Sequence, residues 1–297
     1  MTATATRQPE RIDYHYQSPE GTRRGSYHLW PCQGNTPERV LFCVHGLTRN
    51  ARDFDYLARV LSQDYTVICP DVAGRGDSEW LTQPDLYGYP LYISQMLQLL
   101  QQVMAERRVT GVDWVGTSMG GLIGMMIAAQ PVQPIRRMVM NDVGYRIPKA
   151  ALERLATYVG KRTVFPTLHA AEAHLRTVAA TFGPLTDDQW THLIRTGTEP
   201  CEGGFRFRYD PAIAEPFRHM IVAEDVNLLE FWNQVRIPTL LIRGAQSDLF
   251  LGSTARDMAS ADQVELMEFD GIGHAPALMA RDQIRAIRQY LTPGTDY

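Results

Sequence analysis

The sequence predicts an α/β fold in which a mostly parallel sheet is covered by helices on both faces. Continuous apolar runs that suit buried strands alternate with segments whose apolar residues recur at helical spacing. This alternation stops between about 144 and 235, where amphipathic helical patterns follow one another. We therefore expect a core domain of residues 1–143 and 236–297, with a helical cap of residues 144–235 inserted into it.

The expected elements follow in chain order. Apolar residues at every second position near 12–16 and 26–30 predict an antiparallel pair at one edge of the sheet. Strands are predicted at 40–44, 65–69, 112–115, 139–140, 239–242 and 264–269. Core helices are predicted around 53–61, 93–104, 119–129 and 284–291, and cap helices around 152–159, 168–182, 187–195 and 224–234.

Composition excludes several classes of protein. The 297 residues are 44% hydrophobic and 21% charged, and they contain no apolar run of about 18 residues that could span a membrane. A net charge of −4 without a long basic run argues against a nucleic-acid partner. The N-terminal segment lacks the apolar stretch of a secretion signal, so we expect a soluble, cytoplasmic monomer or homodimer with no membrane partner.

The four cysteines include no C-x-x-C pair, and two of them lie in strand-like apolar runs. Buried thiols are therefore expected rather than disulfides. We expect neither a metal site nor a cofactor.

A G-x-S-x-G motif centred on Ser118 directly follows one predicted strand and precedes a helix. A serine hydroxyl is a weak nucleophile, and a sharp strand-to-helix turn projects it toward a base. Gly116 and Gly120 leave room for such a turn. The N–H of Met119 opens the helix and could stabilise negative charge on a reacting oxygen. The alternative is that the glycines serve packing and Ser118 caps the helix.

A base and an acid are expected on loops at the same edge of the sheet. His274 follows the last predicted strand and is the expected general base. Asp248, on the loop after strand 239–242, is the first choice for the acid that orients the histidine, since it gives the chain order Ser, Asp, His. Asp142, after strand 139–140, is the alternative acid.

With these three loops the chain resembles the α/β-hydrolase superfamily over residues 26–293. The resemblance implies that the His45-Gly46 pair precedes an oxyanion-hole residue, so the N–H of Leu47 is expected to be the second donor beside that of Met119. The glycine-rich segment 71–78 resembles a family loop to which we assign no catalytic role.

The expected activity is hydrolysis of a carboxylic ester of small to medium acyl size through an acyl-enzyme. The Ser-Met-Gly-Gly sequence from Ser118 is similar to that of carboxylesterases, enol-lactonases, carbon–carbon hydrolases and cofactor-free haloperoxidases. A lactonase, thioesterase or carbon–carbon hydrolase with the same triad, and a ligand receptor on this fold, are therefore alternatives. A serine nucleophile excludes the dehalogenases and epoxide hydrolases of this fold, which need an aspartate.

Five side chains are candidates for contact with the substrate: Arg49, Arg75, Tyr145, Trp190 and Trp232. The two tryptophans belong to a set of cap aromatic residues that could form an apolar wall, although each could equally pack inside the cap. The other members of that set are Phe182, Phe205, Phe207, Tyr209 and Phe217.

Overall fold

The computed structural model describes residues 8–216 and 224–292. Its strands, in chain order, are β1 (Glu10–Ser18), β2 (Gly21–Trp30), β3 (Val40–Val44), β4 (Thr66–Asp71), β5 (Val112–Thr117), β6 (Ile135–Asn141), β7 (Arg146–Ile147), β8 (Thr198–Cys201), β9 (Gly204–Phe207), β10 (Val226–Asn227), β11 (Thr239–Gly244) and β12 (Val264–Phe269). Its helices are α1 (Asp55–Leu61), α2 (Tyr89–Arg107), α3 (Met119–Ala128), α4 (Lys149–Ala156), α5 (Leu168–Val178), α6 (Asp187–Gly197), α7 (Leu229–Trp232), α8 (Gly252–Met258) and α9 (Arg281–Leu291).

Eight strands form the main sheet in the order β1-β2-β4-β3-β5-β6-β11-β12. The strands from β4 to β12 in this order run parallel, whereas β1 and β2 pair antiparallel at one edge. The predicted α/β class, the antiparallel edge and the order of core elements are confirmed. Since parallel strands end at one edge, the loops after β3, β5, β6, β11 and β12 open on the same side of the molecule.

Both faces of the sheet are covered by apolar packing, as the continuous apolar strands require. Along β3, Phe42 packs into a cluster with α2 and α3, while Leu41 and Cys43 pack into the cluster with α1 and α9 on the opposite face. All four cysteines are free thiols, and Cys43 and Cys69 are buried.

The segment between β6 and β11 contributes no described strand to the main sheet. It holds α4 to α7 and two small antiparallel sheets, β7 with β10 and β8 with β9, which sequence patterns did not predict. These strands have only two to four residues, too few to establish an alternation. The helix expected over 224–234 is shorter, and only Leu229–Trp232 is helical.

Helices α5 and α6 have a small core of their own. The α5–α6 cluster consists of Phe165, Ala171, Leu175, Ala179, Trp190, Leu193, Ile194 and Met279. Helix α4 differs, because Leu152 and Leu155 join the large cluster that also covers the main sheet. Among the helices of the described ranges, none has the length and apolar character needed to cross a membrane.

Candidate active site

Ser118 lies on a strained turn between β5 and α3. Its φ of 50° and ψ of −113° place it in a region that L-residues rarely adopt. The turn depends on its flanking glycines: a Cβ on Gly116 would lie 2.3 Å from the backbone of Gly120, and one on Gly120 would lie 2.0 Å from the carbonyl oxygen of Val44. The predicted strand-to-helix elbow is therefore present, with the serine at its apex.

His274 pairs with Asp142. The Nδ1 atom of His274 lies 2.8 Å from Oδ2 of Asp142, whose side chain is fully buried. The carboxylate is fixed from the β11 side, because Gly244 N donates to Oδ1 at 2.8 Å and the Ser247 hydroxyl donates to Oδ2 at 2.6 Å. With Nδ1 engaged, Nε2 is the nitrogen available to a reacting group, and both His274 and Ser118 line the same cavity.

The structure contradicts the choice of Asp248 as the acid bound to His274 and supports the alternative, Asp142. Asp248 is half exposed and accepts two hydrogen bonds from Arg154 of α4, at 2.6 and 2.8 Å. Burial by itself raises the pKa of Asp248, but the hydrogen bonds and charge of Arg154, with a smaller contribution from His274, lower it overall. The prediction was wrong because Ser247, rather than Asp248, is the residue of the loop after β11 that contacts the His274–Asp142 pair.

His45 holds the loop that carries the predicted oxyanion donor Leu47. Its ring is fully buried, and Val72 N donates to Nε2 at 3.0 Å. Because Nε2 accepts, Nδ1 carries the proton and donates to the carbonyl oxygen of Gly46 at 2.7 Å. Burial lowers the pKa of His45 to about 4, so the ring is neutral at pH 7. A Cβ on Gly46 would lie 3.8 Å from the Cβ of Ser118, which places the loop against the nucleophile.

Arg75, in the glycine-rich loop after β4, supports the same loop from behind. Its side chain is fully buried, and Nε donates to the carbonyl oxygen of Leu47 at 2.9 Å. Its other contacts are the carbonyl oxygen of Ala73 at 2.7 Å, the sulfur of Met119 at 3.7 Å and the ring of Tyr92, 4.8 Å from the guanidinium carbon. Sequence reasoning gave this loop no catalytic role and considered Arg75 only as a contact for a polar substrate group, so its packing against Leu47 and Met119 was not predicted.

The N–H groups of Leu47 and Met119 are available to a ligand. Neither donates a hydrogen bond to any residue within 8–216 or 224–292. The Met119 N–H is the first of helix α3 and so has no carbonyl partner in a preceding turn. Both residues lie beside Ser118 in the lining of one cavity.

Ser118, Leu47 and Leu155 are shared by two cavities of different character. The first, which we call the cationic cavity, is also lined by Arg49, Lys161, Thr163, His174, Phe182, Phe207, Tyr209 and His274, among others. The second, the apolar cavity, is also lined by Tyr87, Tyr89, Tyr92, Met119, Leu122, Val143, Ile147, Leu152, Ile213 and Leu249, among others. Neither lining, within the described ranges, includes an aspartate or a glutamate.

Of the five candidate substrate contacts, only Arg49 lines a cavity that contains Ser118. Tyr145 donates to Asp257 at 2.7 Å and lines a separate surface depression. Trp190 is buried in the α5–α6 cluster, and Trp232 is buried in the large core cluster. Of the predicted aromatic wall, Phe182, Phe207 and Tyr209 do line the cationic cavity, whereas Phe217 lies outside the described residues.

One group of side chains has the donor atoms of a metal site. One ligand atom each from His28, Asp71 and Asp77 lies within 4.8 Å of the others. Asp77 also contacts the guanidinium of Arg208, and Asp71 accepts the N–H of Ala51 at 2.8 Å. The carboxylates therefore have partners from the protein itself, and the group lines neither cavity that contains Ser118.

Comparison with known proteins identifies the class. The model of the alpha/beta hydrolase family matches residues 40–287. An α/β hydrolase from Novosphingobium aromaticivorans superposes with a TM-score of 0.83 at 33% identity, over 96% of this chain and 99% of that one. The chain belongs to the α/β-hydrolase family, and the predicted family, fold and hydrolase class are confirmed.

Two relatives are named for specific hydrolase activities. This chain is 42% identical over 284 residues to a 3-hydroxybutyrate-oligomer hydrolase of Cupriavidus necator, covering 93% of this chain and 95% of that protein. It is 27% identical over 221 residues to a 2-(acetamidomethylene)succinate hydrolase of Mesorhizobium japonicum, covering 73% of each.

Proposed function

We propose that this protein is a serine hydrolase that cleaves esters of short hydroxy acids, with oligomers of 3-hydroxybutyrate as the substrate class. The observation that carries the chemistry is the 2.8 Å contact between His274 and the buried Asp142, in a cavity that Ser118 also lines. The substrate class is supported by the Cupriavidus necator relative, which matches nearly the whole length of both chains.

In the proposed mechanism His274 accepts the proton of the Ser118 hydroxyl as the oxygen attacks the ester carbon. Asp142 keeps the proton on Nδ1 and stabilises the imidazolium that forms. The N–H groups of Leu47 and Met119 donate to the developing oxyanion, and each such donor contributes on the order of 3 kcal/mol. His274 then protonates the leaving alcohol, and a water activated by the same base cleaves the acyl-enzyme.

Two side chains, Arg75 and His45, support the residues that supply the oxyanion donors. Arg75 holds the Leu47 carbonyl and places a buried positive charge beside both oxyanion donors. His45 fixes the peptide between Gly46 and Leu47, because its Nδ1–H donates to the Gly46 carbonyl oxygen. We propose that both are positioning residues, since neither lines a cavity with Ser118.

We also propose that residues 144–235 act as a lid over the site. Side chains from this segment, including Leu155, Tyr158 and Leu175, line the cationic cavity, and Ile213 lines the apolar one. The cytoplasmic location and the monomeric or homodimeric state remain predictions.

The test is turnover of p-nitrophenyl acyl esters from acetate to decanoate, and of the linear 3-hydroxybutyrate dimer and trimer. We expect multiple turnovers by the wild type and a loss on the order of a million-fold in kcat for Ser118→Ala. Equal rates for the two proteins would contradict the serine mechanism. Turnover of aryl esters without cleavage of either oligomer would contradict the substrate class alone.

A further inference from the structure

The two cavities at Ser118 differ in which catalytic groups they contain. His274 lines the cationic cavity but not the apolar cavity, whereas Met119, an oxyanion donor, lines only the apolar one. An ester bound at Ser118 therefore has one side toward the base and the other toward the start of α3. The shared residues Ser118 and Leu47 mark where its carbonyl group lies.

This asymmetry determines which portion of the ester lies in which cavity. When the tetrahedral intermediate collapses, the bond between the acyl carbon and the alcohol oxygen breaks, and that oxygen takes the proton that His274 received from Ser118. The leaving oxygen must lie within hydrogen-bond reach of His274, so the alcohol portion occupies the cationic cavity. The acyl portion is left to the apolar cavity, whose lining includes no charged side chain among the described residues.

The charges of the cationic cavity are not equivalent. Arg49 is already bound by Asp53 through two hydrogen bonds of 2.7 Å, which neutralise it locally. Lys161 is exposed and forms no ion pair with any residue of the described ranges. The described lining of the cationic cavity contains no carboxylate, so Lys161 is the charge in it that can attract an anion. Lys161 also lines a second depression, which includes Glu202 and Asp210.

We infer that Lys161 forms a carboxylate subsite at the alcohol end of the cationic cavity, so that the enzyme removes the unit carrying the free carboxylate from an oligomeric hydroxy-acid ester. This inference rests on the proposed function. In a linear dimer of a hydroxy acid, the alcohol portion is the unit that ends in a carboxylate, and the acyl portion ends in a neutral hydroxyl. That charge distribution matches a cationic cavity on the His274 side and an uncharged cavity on the other.

The experiment compares kcat/KM for the 3-hydroxybutyrate dimer as the free acid and as its methyl ester, which differ only in the terminal charge. We expect the wild type to prefer the free acid. Lys161→Met should raise KM for the free acid about fivefold, as expected for an exposed ion pair, and should lower the ratio of kcat/KM for the free acid to that for the methyl ester by a similar factor. Lys161→Glu should reverse the preference.

The chain supplies a matched control, because its only other lysine is Lys149. Lys149 is partly exposed, with 39% of its side chain accessible, lies 3.5 Å from Glu153 on α4 and lines neither cavity. Lys149→Met removes the same charge and should keep the preference for the free acid. A preference that survives in Lys161→Met, or that is lost equally in Lys149→Met, would overturn the subsite.

The failure of this inference differs from failure of the proposed function. If the wild type cleaves both dimers with equal kcat/KM and Ser118→Ala cleaves neither, the ester hydrolase stands and the carboxylate subsite is wrong. If neither dimer is cleaved, the proposed substrate class fails together with the subsite. Binding of the free-acid dimer to Ser118→Ala by calorimetry gives a second measurement, in which adding Lys161→Met should weaken affinity about fivefold.

Discussion

At the scale of single residues, substituting each of two aspartates tests which one is the acid of the proposed triad. Asp142→Asn should lower kcat on the order of ten-thousand-fold, because an amide at this position favours the wrong tautomer of His274. Asp248→Asn should lower kcat only a few-fold, about tenfold at most, since Asp248 is half exposed and paired with Arg154. The measurement is kcat of both variants and the wild type on one aryl ester, from steady-state kinetics.

A matched pair of circular dichroism spectra checks that both variants fold. If Asp248→Asn were the more damaged enzyme, the assignment of Asp142 would be wrong. Equal losses would mean that the two carboxylates share the function.

Ser118 and His274 could be predicted from the sequence because each lies in a local pattern of strand, turn and helix. The acid could not be chosen in this way, since Asp142 and Asp248 each follow a parallel strand at the same edge. The choice depends on Ser247, which binds Asp142 across 105 positions, and on Arg154, which binds Asp248 across 94. Such contacts follow from the packing of β6 beside β11 and of α4 over the loops.

At the scale of secondary-structure elements, core strands and helices were predictable because each buries a long apolar run. The small sheets β7–β10 and β8–β9 were not, because pairing between distant segments rather than residue pattern defines them. The role of the loop after β4 was missed for a related reason. Its arginine, Arg75, binds the Leu47 carbonyl oxygen, a contact that exists only because the loop after β3 packs against the loop after β4.

Helices α5 and α6 should open before the rest of the protein. Their cluster is small, and among its described buried members only Met279 lies outside the segment between β6 and β11, with Tyr56 and Ala277 packed against it as partly buried residues. Helix α4 instead shares the large cluster over the sheet. Local opening takes less free energy where few apolar contacts are broken. Hydrogen exchange followed by mass spectrometry should therefore give lower protection for α5 and α6 than for α4 and β5.

The comparison with α4 is the internal control, since α4 also lies between β6 and β11. Equal protection of α4, α5 and α6 would mean that the segment opens as one unit. Slower exchange in α5 than in β5 would contradict the prediction.

At the scale of the whole molecule, His45 should make folding stability depend on pH. Burial lowers its pKa to about 4 in the folded protein, whereas an unfolded histidine titrates near 6.5. As the pH falls through this window, the unfolded chain binds a proton first and the folded state loses stability, at up to about 1.4 kcal/mol per pH unit. His45→Asn should reduce this slope in urea unfolding between about pH 7 and about pH 4.5.

The matched variant is His15→Asn, which removes an exposed histidine on β1 and is the control for loss of a histidine as such. Because carboxylates also titrate at the lower end of the window, the difference between the two variants is the measured quantity. Identical slopes for both would show that His45 is not the group responsible.

The segment between β6 and β11 contacts the loop of His274 directly at Thr181. Its hydroxyl donates to the carbonyl oxygen of His274 at 2.5 Å, and its own carbonyl accepts the N–H of Gly273 at 2.8 Å. A change in the path of the chain near Thr181 therefore also moves the loop that carries the histidine. For enzyme engineering, a segment exchanged between relatives to alter selectivity has to be transplanted together with residues 271–276, as a single unit.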